Sequence, residues 1–251
     1  MKILDVNAAA GFWPIQRFSF QTLEELDQVF EASQVETAWV SAIESILYPD
    51  PETHDHRLFE KIGAFPRLRP VKTVNPLLAN WERSCQADLA RHPIAALKLF
   101  PNYHGYSLAH PEVEALCRFA MERRLPVVVS VRVNDERNQP VAMQVAGVPV
   151  EEIAALSLKF PELLLMATSA YKTELKTLAT GSENLLCDIS FVDGDDTLAL
   201  AAATMPVDRL VFGSHAPFLH VASAVLKVGG YSSLLLSERE KVAAGNVLQR
   251  A

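Results

Sequence analysis

Eight short apolar runs recur along the chain, and a helical pattern follows each of them. That alternation limits the fold more than any other feature, because strands separated by helices pair in parallel. The expected strands are Lys2–Asn7, Thr37–Ile43, Leu68–Val74, Ile94–Phe100, Pro126–Val131, Leu163–Ala167, Leu185–Ser190 and Arg209–Ser214. Most read as continuous apolar runs, as strands covered on both faces should. Helices are expected from Thr22 to about Ser33, opened by a Thr22/Glu25 capping box, and around Leu58 and Ile62. Others are expected over Trp81–Arg91, Pro111–Arg124, Val150–Phe160, Tyr171–Ala179 and Thr197–Thr204, with closing helices near His220–Lys227 and Ser237–Leu248. Eight such units over 251 residues predict a single-domain (β/α)8 TIM barrel spanning 1–251. An open, doubly wound sheet has the same periodicity and is the alternative.

Composition narrows the partners. Hydrophobic residues make up 49% of the chain, enough for a barrel-sized core. A net charge of −7 speaks against nucleic acid and against an anionic membrane. Cys85, Cys117 and Cys187 are odd in number and widely spaced, which reads as reduced thiols in a cytoplasmic protein. Asp5 interrupts the N-terminal apolar stretch, so no signal-peptide core is expected, and no transmembrane segment stands out.

In a parallel barrel the carboxyl ends of the strands share one mouth, and ligands sit there. The polar residues at those ends are Asp5, Asn7, Asn75, Lys98, Ser130, Arg132, Thr168, Ser169, Asp188, Ser190 and His215. Each has a bland reading, from loop-amide bonding by Asp5 and Asn7 to a plain Lys98–Asp188 ion pair. Lys98 and His215 stand out by position. His54-Asp55-His56 has a spacing that would aim two imidazoles at one metal in a strand, but after Pro49 and Pro51 it falls in a loop or first helical turn, read as solvated. His104 and His220 follow the fourth and eighth strands, within loop reach of the mouth. No dinucleotide fingerprint, P-loop or nucleophile elbow is present.

Several stretches carry a resemblance: Ile3-Leu4-Asp5-Val6-Asn7, Val74-Asn75-Pro76, Leu97-Lys98-Leu99-Phe100-Pro101, Phe160-Pro161-Glu162-Leu163, Asn184–Ser190 and Leu210–Pro217. In this order the sequence resembles the amidohydrolase-related (amidohydrolase 2) family of metal-dependent hydrolases. The resemblance implies a (β/α)8 barrel and a divalent metal, such as zinc, that supports hydrolysis or decarboxylation of an organic acid. Its usual ligand positions fall on Asn7, Ala9, Ser130, Thr168 or Ser169, and His215. Ala9 has no donor, and neutral amides and hydroxyls are poor transition-metal ligands. The chain thus resembles a divergent member without the usual metal ligands and without a cofactor.

Three functions follow as expectations. The first is a metal-free or degenerate hydrolase-like enzyme with His215 and Lys98 as catalytic groups. Arg132, Ser130, Asn7 and Asp188 would then bind a small-molecule carboxylate. The second is a non-catalytic small-molecule binder using the same mouth. The third is a metal-dependent hydrolase or decarboxylase whose ligands are rebuilt from His215 with His104, His220 or Asp188, or from His54 and His56. A homo-oligomer stays open on sequence grounds.

Overall fold

A computed structural model describes residues 1–250, apart from the Asn138 side chain. Its strands are β1 Leu4–Ala10, β2 Thr37–Ala42, β3 Leu68–Thr73, β4 Ala96–Leu99, β5 Val127–Ser130, β6 Leu165–Thr168, β7 Leu185–Asp188 and β8 Leu210–Val211. The helices are α1 Leu23–Ala32, α2 Glu52–Ile62, α3 Trp81–Leu89, α4 Pro101–His104, α5 Pro111–Glu122, α6 Val150–Lys159, α7 Leu175–Leu178, α8 Thr197–Ala202 and α9 Val221–Gly229. A final segment runs through α10 Leu236–Glu240, a π turn at Lys241–Gly245 and α11 Asn246–Leu248.

Strand order is β1 through β8 in sequence, every pair parallel. The seam from β8 to β1 is closed by backbone bonds: Val6 N–H to Phe212 O at 3.1 Å and Ala9 N–H to Ala216 O at 2.8 Å. The sheet therefore curls into a nearly closed (β/α)8 barrel rather than an open sheet. The Thr22/Glu25 capping box forms as the sequence predicts.

Inside the barrel, Leu4, Val6, Trp39, Val71, Ala96, Val128, Met166, Leu186 and Val211 pack together, with representatives from all eight strands. Ala244 and Val247, on the last helical segment, join that cluster and cork its lower end. Side chains alternate along a strand, so the next inward position lies two residues on. Those positions are Ser41, Thr73, Lys98, Ser130, Thr168, Asp188 and Gly213. The six with side chains are all buried, so a polar ring sits directly on the apolar layer. One-residue alternation thus converts an apolar interior into a chemical site.

β1 breaks this parity. Leu4 and Val6 face the interior, so Asn7 would face out in a regular strand. The β1–β2 register shifts between Asp5 and Ala8, a bulge that turns Asn7 into the barrel. Asp5 holds the bulge by accepting from Asn7 N–H at 2.9 Å and from Ser214 N–H at 3.0 Å. The sequence reading of β1 as Lys2–Asn7 is corrected here. The strand continues through Ala8, Ala9 and Ala10, which pair with Val40, Ser41 and Ala42.

Candidate active site

Asn7 is the hub of the mouth. Its Oδ1 accepts from Lys98 Nζ at 2.9 Å, which fixes the amide orientation, because an ammonium can only donate. Its Nδ2 donates to Asp188 Oδ2 at 2.8 Å and to Ser169 Oγ at 3.0 Å, with His215 Nδ1 at 3.2 Å. The Ser169 hydroxyl lies 3.0 Å from the same Nδ1. The other ring nitrogen of His215, Nε2, lies 2.6 Å from the Val133 carbonyl. A carbonyl only accepts, so Nε2 carries the hydrogen and Nδ1 is the acceptor.

The sequence brings Lys98, Asn7, Asp188, His215 and Ser169 together as expected, but His215 differs in state. Burial, reinforced by the nearby Lys98 charge, pushes its pKa down to about 3. At neutral pH it is an uncharged imidazole with both nitrogens engaged. The expectation that it would titrate near neutrality as a general acid or base is therefore corrected. Lys98 takes the pKa closer to neutrality: burial lowers it to about 8. The plain Lys98–Asp188 ion pair of the bland reading does not form as a direct contact; Asn7 stands between them, and Asp188 and Asp5 act on Lys98 through space. Asp188 instead accepts from the Ser169 backbone at 2.8 Å and the Ser190 hydroxyl at 3.0 Å. Burial raises its pKa, and burial also lifts Asp5 to about 6.

Two backbone devices hold the network. Ser169 and His215 both adopt left-handed conformations, with φ of 63° and 55°. Such conformations in non-glycine residues cost energy and persist where the surroundings over-determine them. Gly213 allows β8 to approach. A Cβ there would lie 2.4 Å from Asp188 Oδ2 and 3.0 Å from Asn7 Cβ.

Arg132 departs from its expected role as a carboxylate clamp. Its guanidinium is held by Glu174 at 2.7 and 2.5 Å and by the Ser169 carbonyl at 2.7 Å. It also stacks on the Tyr171 ring at 3.6 Å. Its donors serve the β5 and β6 loops instead of a ligand. Ser130 lines the mouth, but its hydroxyl donates to the Arg132 carbonyl at 3.0 Å.

The space before Lys98 is walled by Ala8, Ser41, Ile46, Phe100, Ser130, Val133, His215 and Phe218. Its volume is about 10 Å3, the room one water molecule needs. Above it, Trp13, Phe18 and Phe218 make edge-to-face contacts at 5.3 and 4.8 Å, and Phe218 stacks on His215 at 5.0 Å. Trp13 and Phe18 belong to a loop pinched at its base by a Gly11–Gln21 backbone bond of 2.8 Å. This aromatic plug was not legible as part of the site, because its members lie 80 to 120 residues from Lys98, two of them in an unpatterned loop. Ser41 and Thr73 were missed for another reason: single hydroxyl residues inside apolar runs carry no signal until the barrel closes.

The remaining histidines lie elsewhere. His54 stacks on Tyr48 at 4.5 Å, and His56 bonds Asp88 at 2.9 Å, both in the opening turns of α2. His104 points Nε2 at the Ser45 carbonyl at 3.0 Å, and His220 precedes α9. Among the described residues, no three His, Cys, Asp or Glu side chains converge as a metal would need. The positions matched to a metal centre offer an amide, a methyl, hydroxyls and one engaged imidazole, with an ammonium beside them. That donor set does not fit a divalent ion. No helix among the described residues is long and apolar enough to cross a membrane.

No protein-family model matches the chain, and no curated protein does. Solved structures do match in shape. A 2,6-dihydroxybenzoate decarboxylase from Rhizobium superposes with a TM-score of 0.75 at 12% identity, covering 99% of this chain and 98% of that one. A 5-carboxyvanillate decarboxylase from Sphingomonas paucimobilis gives 0.76 at 11% identity, over 99% and 98%. The 5-carboxyvanillate decarboxylase from Novosphingobium aromaticivorans, complexed with manganese and 4-hydroxy-3-methoxy-5-nitrobenzoic acid, gives 0.77 at 12% identity, over 99% and 95%. At such identities the likeness is one of architecture. What this chain shares with these decarboxylases, over essentially its whole length, is the (β/α)8 barrel fold.

Proposed function

We propose that the mouth of this barrel binds and acts on a small organic acid, with the Lys98 ammonium supplying the positive charge that holds the carboxylate. The observation that carries this reading is the lack of a directly bonded counter-ion: Asp188 and Asp5 attract Lys98 only through space, and burial outweighs them. A buried charge is costly unless paired, yet Lys98, 4% exposed, donates only to the neutral oxygen of Asn7. Asp188 and Asp5 each already accept backbone or amide hydrogens. A ligand carboxylate would complete the ammonium's partners, and Asn7 would orient it. The protonated amine is also the group able to deliver a proton near neutral pH, since its pKa of about 8 suits that task and His215 does not. Structural likeness to decarboxylases of aromatic acids supports the substrate class by analogy only.

A metal-dependent decarboxylase is the second reading, favoured by the manganese in neighbouring structures of this fold. The residues at the mouth argue against it, and no step is routed through a metal. Two measurements separate the readings. Binding requires the Phe218 ring to swing off the one-water space before Lys98. With that movement, benzoate and small aliphatic carboxylates should raise the melting temperature of the wild type by mass action and leave Lys98→Met unchanged. Manganese or zinc should raise neither. About one metal per chain by elemental analysis, lost on His215→Ala, would transfer the case to the metal reading.

A further inference from the structure

Lys98 has a second property that charge alone does not use. Its Nζ has one hydrogen-bond acceptor among the described residues, Asn7 Oδ1 at 2.9 Å, and lies 5.4 Å from the Phe100 ring centroid. The wall mixes Ala8, Ile46, Val133 and Phe218 with Ser41, Ser130 and an uncharged His215. No carboxylate among the described residues bonds it directly; Asp188 and Asp5 favour its ammonium form only through space, and burial outweighs them. A buried lysine without a directly bonded carboxylate offers its lone pair more readily, and neutral amines are nucleophiles toward carbonyls. We propose that Lys98 condenses with the carbonyl of a small oxo acid to form an imine. This rests on the carboxylate site described above and narrows it to acids that also carry a carbonyl group.

The step is self-contained. The neutral Nζ lone pair attacks the carbonyl carbon, and the C=O π pair moves onto oxygen. Oxygen gains the proton that nitrogen loses, giving a carbinolamine. The nitrogen lone pair then expels that oxygen, which takes the second nitrogen proton and leaves as water, giving Lys98 N=C. Amine and carbonyl give imine and water, with no oxidant or reductant. Protonated, the imine keeps the positive charge beside the substrate's carboxylate. Burial holds the amine at a pKa of about 8, so an appreciable share is neutral at mildly alkaline pH.

The test uses the full chain with pyruvate as probe. Protein at pH 8 is incubated with pyruvate, reduced with borohydride, and read by intact mass and peptide mapping. The expected product is one adduct, heavier by pyruvate less one oxygen atom, on Lys98. It should be absent in Lys98→Arg and Lys98→Met. Because the enclosed space is small, Phe218→Ala is run in parallel to widen the entrance, and it should label at least as fast. No adduct in either the wild type or Phe218→Ala overturns the proposal. So does labelling spread over surface lysines and unchanged in Lys98→Met. A benzoate-induced melting shift that needs Lys98 but comes without an adduct overturns the imine and leaves the carboxylate site standing. Loss of both overturns both.

Discussion

Lys98→Met should make this protein more stable. In the folded chain the lysine's pKa falls from 10.5 to about 8. At about 1.4 kcal/mol per unit, holding it protonated costs the fold about 3 kcal/mol at pH 7. Methionine keeps most of the stem and removes the charge. It also orphans Asn7 Oδ1, which takes back about 1–2 kcal/mol. The net gain is about 1–2 kcal/mol, or ~2–8 °C in melting temperature for a chain of this size. The sign reverses with pH. Between about 8 and 10.5 the unfolded chain holds a proton that the native state has lost, so wild-type stability rises with pH across that window. Calorimetry at pH 7 and pH 10 should therefore show a variant advantage that shrinks as pH rises. A variant melting at or below the wild type at pH 7, or a gap that is constant with pH, refutes the reasoning and returns Lys98 to an ordinary paired lysine.

His215→Gln should flatten the acid limb of the stability profile. The native imidazole resists protonation down to about pH 3, so the wild type loses up to about 5 kcal/mol as pH falls from 6.5 toward 3. Asp5, raised to about 6, offsets part of that loss by taking up a proton earlier than the unfolded chain does. Equal acid-unfolding slopes in variant and wild type would count against a neutral buried His215. Gly213→Ala should cost about 1–3 kcal/mol by pressing a methyl group into Asp188 and Asn7, read as a lower urea midpoint. Arg132→Met should destabilise by less than the roughly 3–5 kcal/mol of a fully buried pair, because Glu174 keeps 22% side-chain exposure. Its response to benzoate should match the wild type's; a selective loss of ligand response would restore Arg132 as a carboxylate clamp.

The alternation of strands and helices was legible in the chain: apolar runs such as Pro126–Val131 suit parallel strands covered on both faces, and eight of them at this length point to a barrel. That the sheet closes instead of staying open was decided by the β8–β1 seam. The sequence also placed Lys98, Ser130, Asp188 and His215 at one mouth, because a strand's direction fixes which end a terminal residue occupies. The tertiary structure decided what those residues are. Asn7 became the hub through a bulge whose cause, Asp5 bridging β1 to Ser214, joins residues 209 positions apart. His215 lost its expected titration because its neighbours arrive from β1, β6 and the loop after β5 and exclude water. Arg132 was claimed by Glu174, 42 residues later, and the mouth was narrowed by rings from two distant loops. Periodicity is local and survives in one dimension. Ionisation state, free donors and cavity volume depend on long-range partners, and these exist only once the barrel has closed.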